Sequence, residues 1–230
     1  MKIAIMQPTY FPWSGYFSLI DHVDKFVFLD NVQFDRRSWQ QRNRIANGDK
    51  VLWITVPVKK KNLLTQNISD VLINDTKFKK KHLGTIRQSY SKSLYFDEFH
   101  NFFDKLLTKE FLKLSDLNIF IIKEICKILK INTSFEIAKN LKSIGKKDQL
   151  LANICHELKA KEYVTVEGAK NYIENSQEFK KRNIPINFFN YNQIEYKRGN
   201  GKFIPNLSII DLIFNCGYDT KKLIANDGKK

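Results

Sequence analysis

A chain of 230 residues, 43% of them hydrophobic, is long enough to bury one large core, and no run of 18 apolar residues offers a membrane span. Its net charge of +15 is spread thinly: only seven of the 39 basic residues are arginine, and the lysines run through every segment as solvated faces do, so no specific nucleic-acid partner is expected. Cys126, Cys155 and Cys216 are odd in number, widely spaced and set in helical patterns, which excludes a disulfide framework and any metal-ligand spacing. The start, Met1 to Pro8, is too short in apolar length for a signal-peptide core. A cytoplasmic protein without a bound metal or resident cofactor is therefore the expectation.

In chain order, Lys2 to Met6 alternates short apolar and β-branched residues and predicts a buried strand. It stops at Gln7-Pro8, because proline cannot donate a ladder hydrogen bond. Two more turn-forming residues and three aromatics crowd the next few positions: Tyr10, Phe11, Pro12, Trp13 and Gly15. From Gly15 the spacing of Tyr16, Leu19, Ile20 and Val23 is helical, and Phe26 to Leu29 predicts a second strand ending at Asp30. Such a unit is βαβ, and in open parallel sheets ligands bind in the crevice outside the carboxyl ends of the strands. Gln7 and Asp30 occupy those two ends. Past Asp30, aromatics, glutamines and arginines alternate to Asn47-Gly48, a turn signal. Val51 to Val56 predicts a third strand, Lys59 to Asn62 an exposed loop, and Ile68 to Ile73 a short strand. Helices follow over Lys77 to Tyr90, Phe96 to Leu107 and Ser115 to Lys130, the last with Ser115 as N-cap. A strand over Phe135 to Ala138, a helix over Asp148 to Leu158 and a strand over Glu162 to Val166 lead into Glu167-Gly168. Ile184 to Phe189 is the last strand, and the helix Ile209 to Asn215 ends at Gly217. Strands separated by helices predict an α/β fold with a predominantly parallel sheet flanked by helices. The expected organisation is one domain over 1–225, with 77–131 as a candidate helical subdomain and a disordered tail at 226–230.

The candidate site residues gather behind the first two strands. Gln7 either satisfies loop amides or faces a ligand. Tyr10 and Trp13 are either core aromatics or a platform for a base or sugar ring. Four of the seven arginines, Arg36, Arg37, Arg42 and Arg44, share a nine-residue window with Trp39. A planar fork that binds phosphate bidentately is the reason to concentrate arginine, although a solvated surface is the plainer alternative. No glycine-rich loop is present, so side chains would have to hold a pyrophosphate. Helical spacing puts His82, Ile86 and Tyr90 on one face, and flanking lysines would hold His82 neutral by like-charge repulsion. Gly168 sits in another strand-end loop. Ser208 is expected to cap the following helix, with Asp211 in its first turn.

Taken together, Gln7-Pro-Thr-Tyr-Phe-Pro-Trp-Ser-Gly-Tyr16, Asp30-Asn-Val-Gln-Phe34, Arg36-Arg-Ser-Trp39, Arg42-Asn-Arg44, Leu207-Ser-Ile-Ile-Asp-Leu212 and Phe214-Asn-Cys-Gly217 resemble the WbqC-like family over nearly the whole chain. The resemblance implies a cytoplasmic enzyme of O-antigen or capsule biosynthesis that transfers an acyl or aminoacyl group to a nucleotide-linked amino sugar. Its co-substrate would be an acyl thioester on CoA or on an acidic acyl carrier protein, which the lysine-rich surface suits. Such a transfer needs a base for the ammonium proton and a donor for the oxyanion. His82 and Asp30 are the candidates for the first, and Gln33, Tyr90 or a backbone amide for the second. No Ser–His–Asp or Cys–His arrangement is present, so direct attack without an acyl-enzyme is expected. A weaker likeness is to the nucleotidyl-transferase α/β fold, whose His-x-Gly-His signature keeps only its glycine in Pro12-Trp-Ser-Gly-Tyr16. Activation of a substrate with a nucleoside triphosphate is thus one alternative function, and a non-catalytic RNA-binding module is another.

Overall fold

A computed structural model describes residues 1–59 and 65–225, so most of the loop expected at Lys59 to Asn62 and the tail expected at 226–230 lie outside the described residues. The chain begins with β1 (Lys2–Met6), α1 (Ser14–His22) and β2 (Lys25–Phe28), followed by β3 (Arg42–Asn47) and β4 (Lys50–Thr55). Three long helices come next: α2 (Lys77–Tyr90), α3 (Phe96–Thr108) and α4 (Leu114–Ile128). β5 (Ser134–Ile137), α5 (Lys147–Glu157) and β6 (Glu162–Val166) lead to two short helices, α6 (Lys170–Ile173) and α7 (Gln177–Lys181). β7 (Ile186–Phe189), α8 (Ile209–Cys216) and α9 (Thr220–Ile224) complete the order.

Five strands form one sheet in the order β5-β2-β1-β6-β7, every pairing parallel. Alternation along β1 feeds two cores at once. Ala4, with Phe26, Phe28 and Val164 of its neighbours, packs into a large cluster with α1, α3, α4 and α8. Ile3 and Ile5, with Val27 and Tyr163, pack into a smaller one with Leu150, Ile154 and Cys155 of α5. A parallel sheet covered on both faces explains why its strands read as near-continuous apolar runs. The expected α/β architecture is the one found.

The order also moves the expected crevice. Connections run outward from β1 to β2 and β5, then return to β6 on the other side, so the order reverses between β1 and β6. That gap, not the one between the first two strands, is the topological switch point.

Three local expectations are corrected. The third strand does not join the main sheet: β4 pairs antiparallel with β3 in a separate ribbon, from Arg42↔Thr55 to Asn47↔Lys50. Gly48, with φ +60°, supplies the left-handed residue of its two-residue loop. Ile68 to Ile73 is not a strand but a single turn, Ile68–Asp70, flanked by isolated bridges. Its amides are consumed by other partners, Ile68 N by Val32 O and Ser69 N by Asp30 O. Ser115 lies inside α4, fully buried, while Lys113 takes the N-cap position. Ser208 does cap α8, accepting from Ile210 N at 3.3 Å, and Gly217 at φ +55° ends that helix.

Candidate functional site

The loop after β1 is wrapped on itself by one asparagine. Phe11 adopts φ +43°, an unfavourable conformation for a bulky residue. Asn43 of β3 donates from Nδ2 to the carbonyls of Tyr10 (3.1 Å) and Phe11 (2.8 Å), which fixes this bend. Phe11 and Tyr10 then point into the core, while Trp13 is left at the rim. Gly15 explains why the helix can start directly behind it: a Cβ there would lie 2.4 Å from the Trp13 ring. Tyr191, in the segment after β7, meets the Trp13 ring edge-on at 5.5 Å.

These residues bound a cleft of about 390 Å³ at the carboxyl end of β1, lined by Met6, Thr9, Trp13, Tyr16, Trp39 and Arg44 together with Pro12, Asn43 and Asn206. Its walls are mostly apolar, three of the lining side chains being aromatic, with a few polar groups among them, the usual make-up of a small-molecule site. Arg44 lies 5.5 Å from the Trp39 ring centroid and donates from Nη2 to Asn206 O at 3.1 Å. Tyr16 donates its hydroxyl hydrogen to Gln7 O at 3.0 Å. The Gln7 side chain turns away to accept from Gln40 Nε2 at 2.8 Å. Gln40 O and Pro8 O both take Asn118 Nδ2 of α4, at 2.7 and 3.1 Å.

Of the residues singled out from sequence, Trp13, Trp39 and Arg44 therefore meet in the cleft, and Gln7 supports it. Arg42 stands beside it, with its guanidinium 4.3 Å from the Trp53 ring, which in turn stacks on Trp39 at 5.4 Å. Arg37 and Gln33 are exposed on the intervening loop, and Gly168 is exposed after β6 with open space where a Cβ would stand. None of these three lines the cleft.

Asp30 is 0% exposed. Its Oδ1 accepts from Lys139 N at 3.0 Å, and its Oδ2 has no hydrogen-bond partner. Lys139 Nζ stands 3.7 Å from that oxygen and 3.5 Å from Asp116. Burial raises the carboxyl pKa, and the Lys139 contacts only partly offset it.

His82 is 3% exposed, with both ring nitrogens occupied. Nε2 accepts the Thr55 amide at 3.1 Å, so Nδ1 of the neutral ring carries the proton toward Tyr10 Oη, 2.9 Å away. Its pKa is pushed down to about 4, as the sequence suggests in direction but not in cause: desolvation dominates and Lys81 adds little. Tyr10 is buried beside it, and Tyr90, further along α2, is buried in the same core. The Tyr90 hydroxyl accepts from Ala46 N at 3.1 Å, and its ring stacks on Phe214.

Several residues of the site went unnoticed in sequence. Thr9, Asn43 and Asn206 carry no spacing signal, Tyr16 reads only as the first residue of a helical face, and Trp53 looks like a strand core residue. Asp211 is more than a dipole-favoured first-turn acid. Fully buried, it accepts from Tyr196 Oη at 2.7 Å and pairs with Arg198 Nε at 3.1 Å. Arg198 donates onward to Gly48 O and Lys202 O, so this network pins the turn of the ribbon to the C-terminal segment. Among the described residues no group of three or more His, Cys, Asp or Glu side chains could hold a metal.

A family model described as the WbqC-like protein family matches residues 7–223, a span that holds the loop, the ribbon and the capped helix α8. The chain belongs to the WbqC-like family. This WbqC-like chain is 36% identical over 220 residues to an uncharacterised protein of Mycobacterium tuberculosis, covering 95% of each sequence. No solved structure matches it. Among the described residues, no helix is long and apolar enough to cross a membrane.

Proposed function

We propose that this WbqC-like chain is an enzyme of surface-polysaccharide biosynthesis that binds a nucleotide-linked amino sugar in the cleft and transfers an acyl or aminoacyl group to its amine. One observation carries this: at the carboxyl end of β1, three aromatic side chains (Trp13, Tyr16 and Trp39) and an arginine line a single cleft. Flat apolar walls suit a base or a pyranose ring, and a guanidinium held against an indole suits a phosphate. Gln7, Gln40 and Asn118 hold the strand end that carries this wall.

The step is a direct substitution. The free amine attacks the carbonyl carbon of the donor, a C–N bond forms, and the thiol or alcohol of the donor leaves. A covalent route through cysteine finds no support, because burial holds the thiols of Cys126 and Cys155 far above neutral and that of Cys216 at about 11. His82 serves as a positioning residue that fixes Tyr10 and the edge of β4. The proton of the ammonium goes to Asp30, whose carboxyl pKa burial raises, and from there to the departing thiolate or alkoxide. For this, Lys139, whose Nζ stands 3.7 Å from Asp30 Oδ2, must move aside and open the buried carboxylate to the cleft.

The test is a transfer assay with a nucleoside-diphosphate amino sugar and activated acyl or aminoacyl donors. The expected result is an N-acylated sugar nucleotide, and Asp30→Asn should lose the acidic limb of the pH–rate profile. Pyrophosphate release from ATP without acylation would favour nucleotidyl transfer instead.

A further inference from the structure

Among the described residues, the outer face of the β3–β4 ribbon is open along β4, where Val51, Trp53 and Thr55 are exposed, and partly covered along β3, where Arg42 and Arg44 are half-buried and Ala46 is buried. Arg42↔Thr55 and Arg44↔Trp53 are cross-strand pairs, so Arg42, Arg44, Trp53, Thr55 and Val51 share that face. Trp39 stacks onto it, and Trp39 and Trp53 are each 47% exposed. The two guanidinium groups lie against these two indoles rather than against carboxylates. Neither strand contains an acidic residue, and among the described residues neither arginine has an ion-pair partner. The face runs for six residues, about 20 Å. At its Trp39 and Arg44 end it opens directly into the cleft.

We propose that this ribbon is the docking surface for the single-stranded 3′ end of an RNA, and that the acyl donor is an aminoacyl ester of that RNA. Flat aromatic faces interleaved with guanidinium groups are the chemistry that holds unpaired bases and their phosphates. About 20 Å accommodates a few nucleotides, and the cleft at its end would receive the terminal ester. An acidic carrier protein fits less well, since its carboxylates need cations and not two exposed, stacked indoles. The scattered lysines then contribute the long-range attraction that any nucleic acid would feel. The donor assignment rests on the transferase reading of the cleft, and its chemistry balances without a further reagent. The sugar amine attacks the ester carbonyl, the C–N bond forms, the ester C–O bond breaks, and the ribose hydroxyl leaves with a proton.

Fluorescence anisotropy with a labelled RNA hairpin bearing a four-nucleotide single-stranded 3′ end, against the same hairpin with a blunt end, tests the docking surface. The overhang should bind at least about tenfold tighter than the blunt form. Trp53→Ala should remove about tenfold of that preference and Trp53→Phe should restore part of it. Arg42→Gln should weaken binding and lower the salt slope by about one. Unchanged thermal melting would show that the variants fold. Equal binding of both hairpins, or wild-type binding by both Trp53→Ala and Arg42→Gln, would overturn the proposal. So would loss of acidic carrier-protein binding in these variants with RNA binding intact. Overhang binding without any transfer would sink the transferase reading alone. Sugar acylation from a thioester with no overhang preference would sink the ribbon assignment alone.

Discussion

At the residue scale, the ionisable groups divide by whether an atom remains open. His82 spends one nitrogen on Thr55 and the other on Tyr10, so its basicity is used for architecture. Its folded pKa of about 4 lies below the unfolded value near ~6.5, so the unfolded chain binds the extra proton between those values. The stabilisation is therefore complete above ~6.5 and lost as pH falls toward 4. Chemical denaturation of wild type and His82→Gln from pH 7 to pH 4 should show the difference between them shrinking by on the order of 3 kcal/mol. A constant difference would mean that the ring is already protonated or solvated. Asn43 is the opposite kind of residue, unremarkable between two arginines in sequence yet holding the left-handed Phe11 bend. No spacing rule could find it, because its partners are carbonyls more than thirty positions away.

At the scale of elements, the first three were legible because their periods are unambiguous: Lys2 to Met6, the helix behind Gly15, and Phe26 to Leu29. The ribbon was not. Arg42 to Asn47 alternates, but with arginine as the outward residue it reads as solvated surface, and Val51 to Val56 reads as another buried strand. The signal that could have joined them is the Asn47-Gly48 turn, since Gly48-Asp49 is the two-residue loop of a hairpin. Gly15 is a second case, since its glycine leaves room for an indole and does not approach a phosphate. Gly15→Ala should keep or slightly raise helix stability, while displacing Trp13 and weakening ligand binding in the cleft by about tenfold. Equal weakening of stability and binding would point to a general packing defect instead. The ribbon's anchorage is testable through Arg198→Met, which strands Asp211 as a buried, unpaired carboxylate and should cost about 3–5 kcal/mol in denaturant titrations. The double variant Arg198→Met/Asp211→Leu should recover part of that loss. A neutral single variant would show that the turn at Gly48 holds without the network.

At the scale of the whole molecule, the order β5-β2-β1-β6-β7 decides where a ligand can sit, and strand order is invisible to local pattern. Sequence placed Gln7 and Asp30 at adjacent strand ends, as they are. The loop behind β1, together with Trp39 and the ribbon's Arg44, forms the cleft, while Asp30 is buried beside Lys139 and does not line it. The proposed ligand of this cleft is a nucleotide-linked amino sugar. Calorimetric titration of a nucleoside-diphosphate amino sugar into wild type, Trp39→Ala, Arg44→Gln and the outlying control Arg87→Gln tests it most directly. Saturable 1:1 binding to wild type and Arg87→Gln is expected, weakened about tenfold or more in the two cleft variants. Absence of saturable binding to wild type, or equal affinity across all four proteins, would contradict it.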